Sequence, residues 1–260
     1  MKIFDSHCHL DDKAYREDTA RVIERAHQNG VTRMMTVGVN KKTAVRAVSL
    51  AESHPDLYAS VGFHPHDAEQ CHSAALDFLI TLAGSPKVRA WGEIGLDYNR
   101  MYSPREDQER WFIRQLEIAA ELSLPMIFHE RDSKGRFLDI LKARLNKEQT
   151  GVIHCFSGNT DELQQYLGMG LYIGITGILT LKNRGIKLRR MVTQIPSDRL
   201  LVETDAPYLT PAPEKNHTRR NEPAFVKSVL LKLAEVRNED PAQLAQTVWD
   251  NTCRLYKLES

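Results

Sequence analysis

One unit recurs eight times along this chain, and the recurrence leaves few folds open. Short apolar runs of β type lie at 2–5, 31–37, 57–63, 88–94, 125–129, 151–156, 171–175 and 200–204. Stretches with helical periodicity separate them, at 19–28, 42–53, 74–83, 105–122, 133–145, 160–168 and 184–194. Two more follow the last run, at 223–236 and 241–256. In the first helical stretch Val22, Ile23 and Ala26 share a face, and Gly30 stands where a helix stops. Pro223 and Pro241 suit a first helical turn, where a missing N–H leaves no bond unmade. The runs are apolar on both faces, the pattern of buried parallel strands. Eight strand–helix units predict an α/β chain folded as a closed (β/α)8 TIM-like barrel with an additional C-terminal helix. An open doubly wound sheet would carry a Gly-rich phosphate loop after its first strand, and none follows the run at 2–5. No repeat, linker or low-complexity tract interrupts residues 1–260, so a single domain is expected. In such a barrel the chemistry sits at the C-terminal ends of the strands.

Composition excludes several classes. Hydrophobic residues make up 42% and charged residues 27%, ordinary for a globular chain that can bury its own core. The net charge of +1 gives no support for blanket nucleic-acid or membrane binding, though a local basic patch remains open. Cys8, Cys71, Cys155 and Cys253 form no C-x-x-C pair and read as reduced thiols. Strand alternation turns Cys8 and Cys155 away from the neighbouring histidines, as small packing residues. The first residues hold no apolar signal segment, and no run of about 18 apolar residues could span a membrane. A cytoplasmic protein with no obligate protein partner is expected.

The strand ends carry metal-competent side chains. The first run closes on Asp5-Ser6-His7-Cys8-His9. Two apart on a strand, His7 and His9 project to one side, with Asp5 below them. Glu93 closes the fourth run with Asp97 just past it, His129 the fifth and His154 the sixth; Glu203 and Asp205 close the eighth on a common face. Taken singly, each is an ordinary buried polar residue or cap, and His-x-His alone matches by chance. Together they end five of the eight runs, and a shared cation is the simplest partner for so many buried polar groups. Four histidines, one glutamate and one aspartate exceed the needs of one tetrahedral ion and suit two. The expected arrangement puts His7, His9 and Asp205 on one ion and His129 and His154 on the other, with Glu93 between. Zn, Mn, Mg or Ni fits the donors. His64, closing the third run at the same level, is free to donate to a phosphate or protonate a leaving group.

These segments resemble the TatD family of metal-dependent deoxyribonucleases, within the amidohydrolase superfamily. The resemblance rests on Asp5-Ser-His-Cys-His9, Gly62-Phe-His-Pro65, Gly92-Glu-Ile-Gly-Leu-Asp-Tyr98 and His129 before Arg131-Asp132. It continues through His154-Cys-Phe-Ser-Gly158, Glu203-Thr-Asp-Ala-Pro-Tyr-Leu209 and Arg220-Asn-Glu-Pro223, in order over nearly the whole chain. It implies a TIM-like barrel with a divalent-metal site that hydrolyses phosphodiester bonds, often as a 3′→5′ exonuclease on DNA. It carries metal-ligand roles onto His7, His9, Glu93, His129, His154 and Asp205, and makes His64 and Glu203 active-site neighbours. Some family members lack the first His-x-His; this chain has it.

The expected activity is a divalent-metal-dependent, 3′→5′ exonucleolytic hydrolysis of single-stranded DNA through a hydroxide activated by two metals. Asp205 would accept the water's proton, and His64 would assist the leaving 3′ oxygen. Arg131 and Arg220 match phosphate geometry. Tyr98, Phe156 and Tyr208 flank the ligands and could stack an unpaired base. Lys134, Arg136, Lys182, Arg184, Lys187, Arg189 and Arg190 add basicity after the fifth and seventh runs, and Lys215, His217 and Arg219 after the eighth. A charge run such as 187–190 is usually a solvated helix face. The alternative activity is hydrolysis of an amide, lactone or aminoacyl ester on the same barrel; loop basicity favours phosphate.

Overall fold

The computed structural model describes residues 1–259. Eight parallel strands are hydrogen-bonded in sequence order: β1 (Ile3–Cys8), β2 (Val31–Gly38), β3 (Leu57–Val61), β4 (Val88–Asp97), β5 (Met126–Arg131), β6 (Gly151–Ile153), β7 (Tyr172–Ile175) and β8 (Leu200–Val202). The end of the series returns to its start. Cys8 bridges Ala206, the His9 N–H donates to the Ala206 carbonyl at 2.7 Å, and the Asp205 N–H donates to the His7 carbonyl at 2.9 Å. These bonds bring the sheet nearly to closure as the expected (β/α)8 barrel. The helices are α1 (Thr19–Gln28), α2 (Lys41–Ser53), α3 (Ser73–Leu82), α4 (Arg105–Glu121), α5 (Arg136–Arg144), α6 (Thr160–Gly168), α7 (Ile186–Met191), α8 (Ala212–Lys215), α9 (Val226–Arg237) and α10 (Pro241–Leu255). Sequence periodicity misses α8, because one turn is too short to show a 3.6-residue period.

Alternation along the strands sorts the apolar residues into two clusters. Phe4, Met35, Val37, Ala90, Ile127, Val152, Tyr172 and Leu201 pack with Trp249 and Cys253 of α10 and with Tyr256 just past its end. The additional C-terminal helix therefore closes the barrel end where the strands begin. The opposite strand faces, including Met34, Trp91, Phe128, Ile153, Ile173 and Val202, pack with the surrounding helices. Two residues beyond the inner cluster the same faces turn polar: Ile127 leads to His129, Val152 to His154 and Leu201 to Glu203. β1 and β4 reach this level by breaking the alternation. Phe4 precedes His7 by three positions and Ala90 precedes Glu93 by three, and pairing shifts register between Asp5 and Cys8 and between Trp91 and Ile94. Gly92 makes the second break possible: its φ is +152, and a Cβ there would lie 2.6 Å from the Ile127 carbonyl oxygen.

Strands β3, β6 and β8 stop at Val61, Ile153 and Val202, earlier than the apolar runs suggest. Past the last two, Cys155 (φ 47) and Asp205 (φ 57) hold left-handed backbone, which cannot extend a strand. Helix α5 begins three residues later than its sequence pattern, after Gly135 at φ 87. Among the described residues no helix is long and apolar enough to cross a membrane. All four cysteines are free.

Candidate metal centre

The strand ends bring the expected donors together. His7 Nε2 lies 3.2 Å from His9 Nε2, 3.5 Å from Glu93 Oε2 and 3.7 Å from Asp205 Oδ1. Asp205 Oδ1 is 3.4 Å from His9 Nε2 and 3.7 Å from His154 Nε2. Glu93 Oε1 faces His129 Nδ1 at 2.7 Å, His64 Nε2 at 3.3 Å and His154 Nε2 at 3.9 Å. His154 also stacks on His7 with ring centroids 3.5 Å apart. Its Nε2 thus reaches Asp205 as well as Glu93, so the donors form one continuous group. Below them Asp5, fully buried, accepts from the Thr204 N–H (2.9 Å) and hydroxyl (2.6 Å). Desolvation pushes its carboxyl up to about 8.

Partners behind the donors bear on which nitrogen His9, His154 and His129 present. His9 Nδ1 contacts the Val37 carbonyl at 3.0 Å, so Nδ1 keeps a proton there and Nε2 carries the lone pair once the ring is neutral. His154 Nδ1 lies 2.8 Å from Glu203 Oε1, leaving Nε2 toward the centre. Glu203, fully buried, also accepts from the Cys155 N–H (2.6 Å) and the Ser6 hydroxyl (3.2 Å). Gly174 on β7 makes room for this carboxylate; a Cβ there would sit 2.6 Å from it. His129 is reversed: Nε2 faces Asp97 Oδ2 at 3.3 Å, and Nδ1 faces Glu93. Asp97 also holds His66 Nε2 at 2.6 Å. Sequence inspection leaves Asp97 and His66 without a role, although His64-Pro65-His66 signals a second imidazole at this rim.

The electrostatics follow from burial and neighbours. Desolvation pulls His7 well below the ordinary histidine value, reinforced by His154. Desolvation also lowers His64, to about 4, against the pull of Glu93. Burial depresses His9, His129 and His154 too, but carboxylates outweigh it. Asp205 brings His9 to about 9, Asp97 and Glu93 bring His129 to about 9, and Glu203 and Glu93 bring His154 to about 8. Burial alone would raise Glu93, yet the surrounding imidazoles hold it well below the usual carboxylate range. The donor chemistry fits divalent cations: His7, His9 and Glu93, and likewise His7, His154 and Asp205, offer atoms within 4.8 Å of one another.

A cleft of about 830 Å³ opens beside these donors, over the ends of β5 to β8. His129, His154 and Asp205 form one wall, and Arg131, Lys134, Arg184, Lys187 and Arg190 supply its basic lining. Lys187 and Arg190 therefore face the cleft. Arg189 instead donates to the carbonyls of Leu179, Leu181 and Lys182. Arg220 is absent from the cleft wall. Its guanidinium binds Asp18 (2.8 Å through two nitrogens), Glu222 (3.0 Å) and the Ala14 carbonyl (2.9 Å). Tyr208 is exposed, edge-on to His9 with centroids 5.9 Å apart. Phe156 is buried against Tyr166 and Tyr98 donates to Glu109 (2.6 Å), so both are structural here. Cys155, expected to face away, lines the cleft, because its left-handed turn removes it from strand alternation.

A parallel barrel whose strand ends converge imidazoles and carboxylates defines a metal-dependent hydrolase. The family model described as TatD related DNase matches residues 4–257. A 3'-5' ssDNA/RNA exonuclease TatD from Pectobacterium carotovorum subsp. carotovorum is 42% identical over 259 residues, covering 98% of this chain and 100% of that protein. The Escherichia coli K12 protein of the same description is 40% identical over 256 residues, with 98% of each chain covered. The crystal structure of a TatD homolog from Escherichia coli K12 superposes with a TM-score of 0.90 at 29% identity, covering 99% of this chain and 98% of that one. This chain belongs to the TatD related DNase family. It is a nuclease that hydrolyses phosphodiester bonds, and amide, lactone or aminoacyl-ester hydrolysis is not favoured.

Proposed function

We propose that this protein removes nucleotides from the 3′ end of single-stranded DNA, using two divalent cations. The observation that carries the proposal is the convergence of six donors at the strand ends, three of which, His129, His154 and Asp205, form a wall of a basic cleft. His7, His9 and Asp205 would hold one cation and His129 and His154 the other, with Glu93 shared. Bound there, such ions acidify water and offset charge developing on the phosphate; Zn, Mn, Mg and Ni all accept these donors. Asp205, whose side chain is 15% exposed, would take the proton of the attacking water. Glu203 holds His154 in its orientation. His64 Nδ1 accepts the His66 N–H at 3.0 Å, so its own proton sits on Nε2 and points at the centre. Neutral at working pH, His64 donates a hydrogen bond to the phosphate or the departing 3′ oxygen. Arg131 and its basic neighbours receive the backbone phosphates behind the terminus. Tyr208 offers an exposed ring for a base. The chain acts as one domain, and its free thiols fit a reducing cytoplasm.

The test is metal reconstitution of stripped protein, scored by product length on strands labelled at either end. Mononucleotides released from the 3′ end, with two equivalents of metal retained, are expected. Release from the 5′ end would overturn the polarity, internal cuts the exonuclease reading, and full activity with one equivalent the stoichiometry.

A further inference from the structure

Tyr102 is 62% exposed and its neighbour Met101 is 41% exposed, both on the loop from β4 to α4. The backbone beneath them is pinned on both sides. Asp97 Oδ1 accepts the Asn99 and Arg100 N–H groups at 2.9 and 2.8 Å, while Oδ2 holds His66. Ser103, buried, donates its hydroxyl to the His66 carbonyl at 2.9 Å and accepts the Glu69 N–H at 3.0 Å. Met101 between these anchors has φ 52, a left-handed conformation that crowds the Cβ of a side-chain-bearing residue. Such strain persists where the surroundings over-determine it, and it collects at ligand sites. The anchored loop thus presents an aromatic ring to solvent at little further entropic cost on binding.

The ring also continues into the metal centre. Tyr102 lies edge-on to His66 with centroids 4.8 Å apart, His66 to His64 at 4.3 Å, and His64 to His129 at 4.3 Å. On the other flank His154 stacks on His7, His7 meets His9 at 5.0 Å, and His9 meets Tyr208. Exposed tyrosines thus bound the donor group on both flanks, while the basic lining lies over β5 to β8. We propose that Tyr102, backed by His66 and flanked by Met101, is a stacking platform for an unpaired nucleobase next to the scissile phosphate. The inference rests on the single-strand reading above and adds, on the flank opposite Tyr208, a second contact that only a base outside a duplex can make. Base–aromatic stacking is sequence-tolerant, because every base has a π face.

The experiment is a double cycle between protein and substrate. Wild type, Tyr102→Ala and Tyr102→Trp are assayed on single strands carrying one abasic residue at each of the last four positions. On intact strands Tyr102→Ala should raise KM about 5- to 150-fold with kcat little changed, and Tyr102→Trp should restore KM. At one position beside the cleaved bond, removing the base should cost the wild type a similar factor and cost Tyr102→Ala nothing more. Additive losses at all four positions, or a KM for Tyr102→Ala within twofold of wild type, would overturn the platform while leaving the nuclease reading standing. A wild type that cleaves no single strand overturns both.

Discussion

At the scale of the residue, function here depends on which nitrogen each imidazole presents. Glu203 settles that for His154 and also ties down the Cys155 amide and Ser6. Glu203→Gln keeps the shape but weakens the orienting contact. Apparent metal affinity should fall about 10- to 100-fold, measured by calorimetric titration of stripped protein; an unchanged affinity would remove Glu203 from the assembly. Protons compete with the cations for the same atoms. His9 and His129 titrate at about 9 and His154 at about 8, so at pH 7 the metal-free centre is protonated at these rings. Metal must displace those protons, so binding tightens as pH rises and levels off only above about 9. Titration in buffers of different ionisation enthalpy should register proton release at pH 7, and an affinity flat from pH 6 to 9 would refute it.

At the scale of the element, the sequence already carries the strand order, the helix count within one turn, and the strand ends as the place where the polar donors gather. Hydrophobic periodicity encodes all three, and long periodic segments survive local detail. Parity is where such inference loses its grip. Glu93 arrives three residues after inward Ala90 because Gly92 lets β4 break its alternation, and neither event leaves a periodic trace. Cys155 escapes prediction for a related reason, since a left-handed turn at a non-glycine residue has no compositional mark. Arg220 shows a third limit, because a guanidinium serves carboxylate and phosphate alike. Its bonds to Asp18, Glu222 and the Ala14 carbonyl tie α1 and the turn before it to the segment before α9. Arg220→Ala should cost about 1–3 kcal/mol of stability and leave KM for single strands within twofold, read by thermal unfolding and steady-state kinetics. The Arg220 hydrogen bond lowers the Asp18 carboxyl below its ordinary value. That contribution is complete above the unfolded carboxylate value of 3.8 and disappears as pH falls through the folded one. The stability gap between wild type and Arg220→Ala should therefore narrow in acid.

At the scale of the whole molecule, a net charge of +1 hides an uneven distribution. Five cations line one cleft, so attraction to a polyanion is local and salt-sensitive. Replacing Lys187 and Arg190 together by alanine should flatten the slope of log affinity against log salt by about 1.4, roughly 0.7 per lost phosphate contact on a single strand. Fluorescence anisotropy across a salt series measures it, and an unchanged slope would take both residues off the strand's path. The near-closure of the barrel has a consequence in time as well as in space. His7 and His9 leave the ribosome first, but the seam that brings Asp205 to them is made by the strand that emerges last, close to 200 residues later. At about 5–20 residues per second, a nascent chain spends roughly ten seconds or more between the opening pair and Asp205, with Glu93, His129 and His154 emerging on the way. A stalled chain therefore lacks Asp205, and the proposed ligand set, with any cutting that would depend on it, waits on the strand made last.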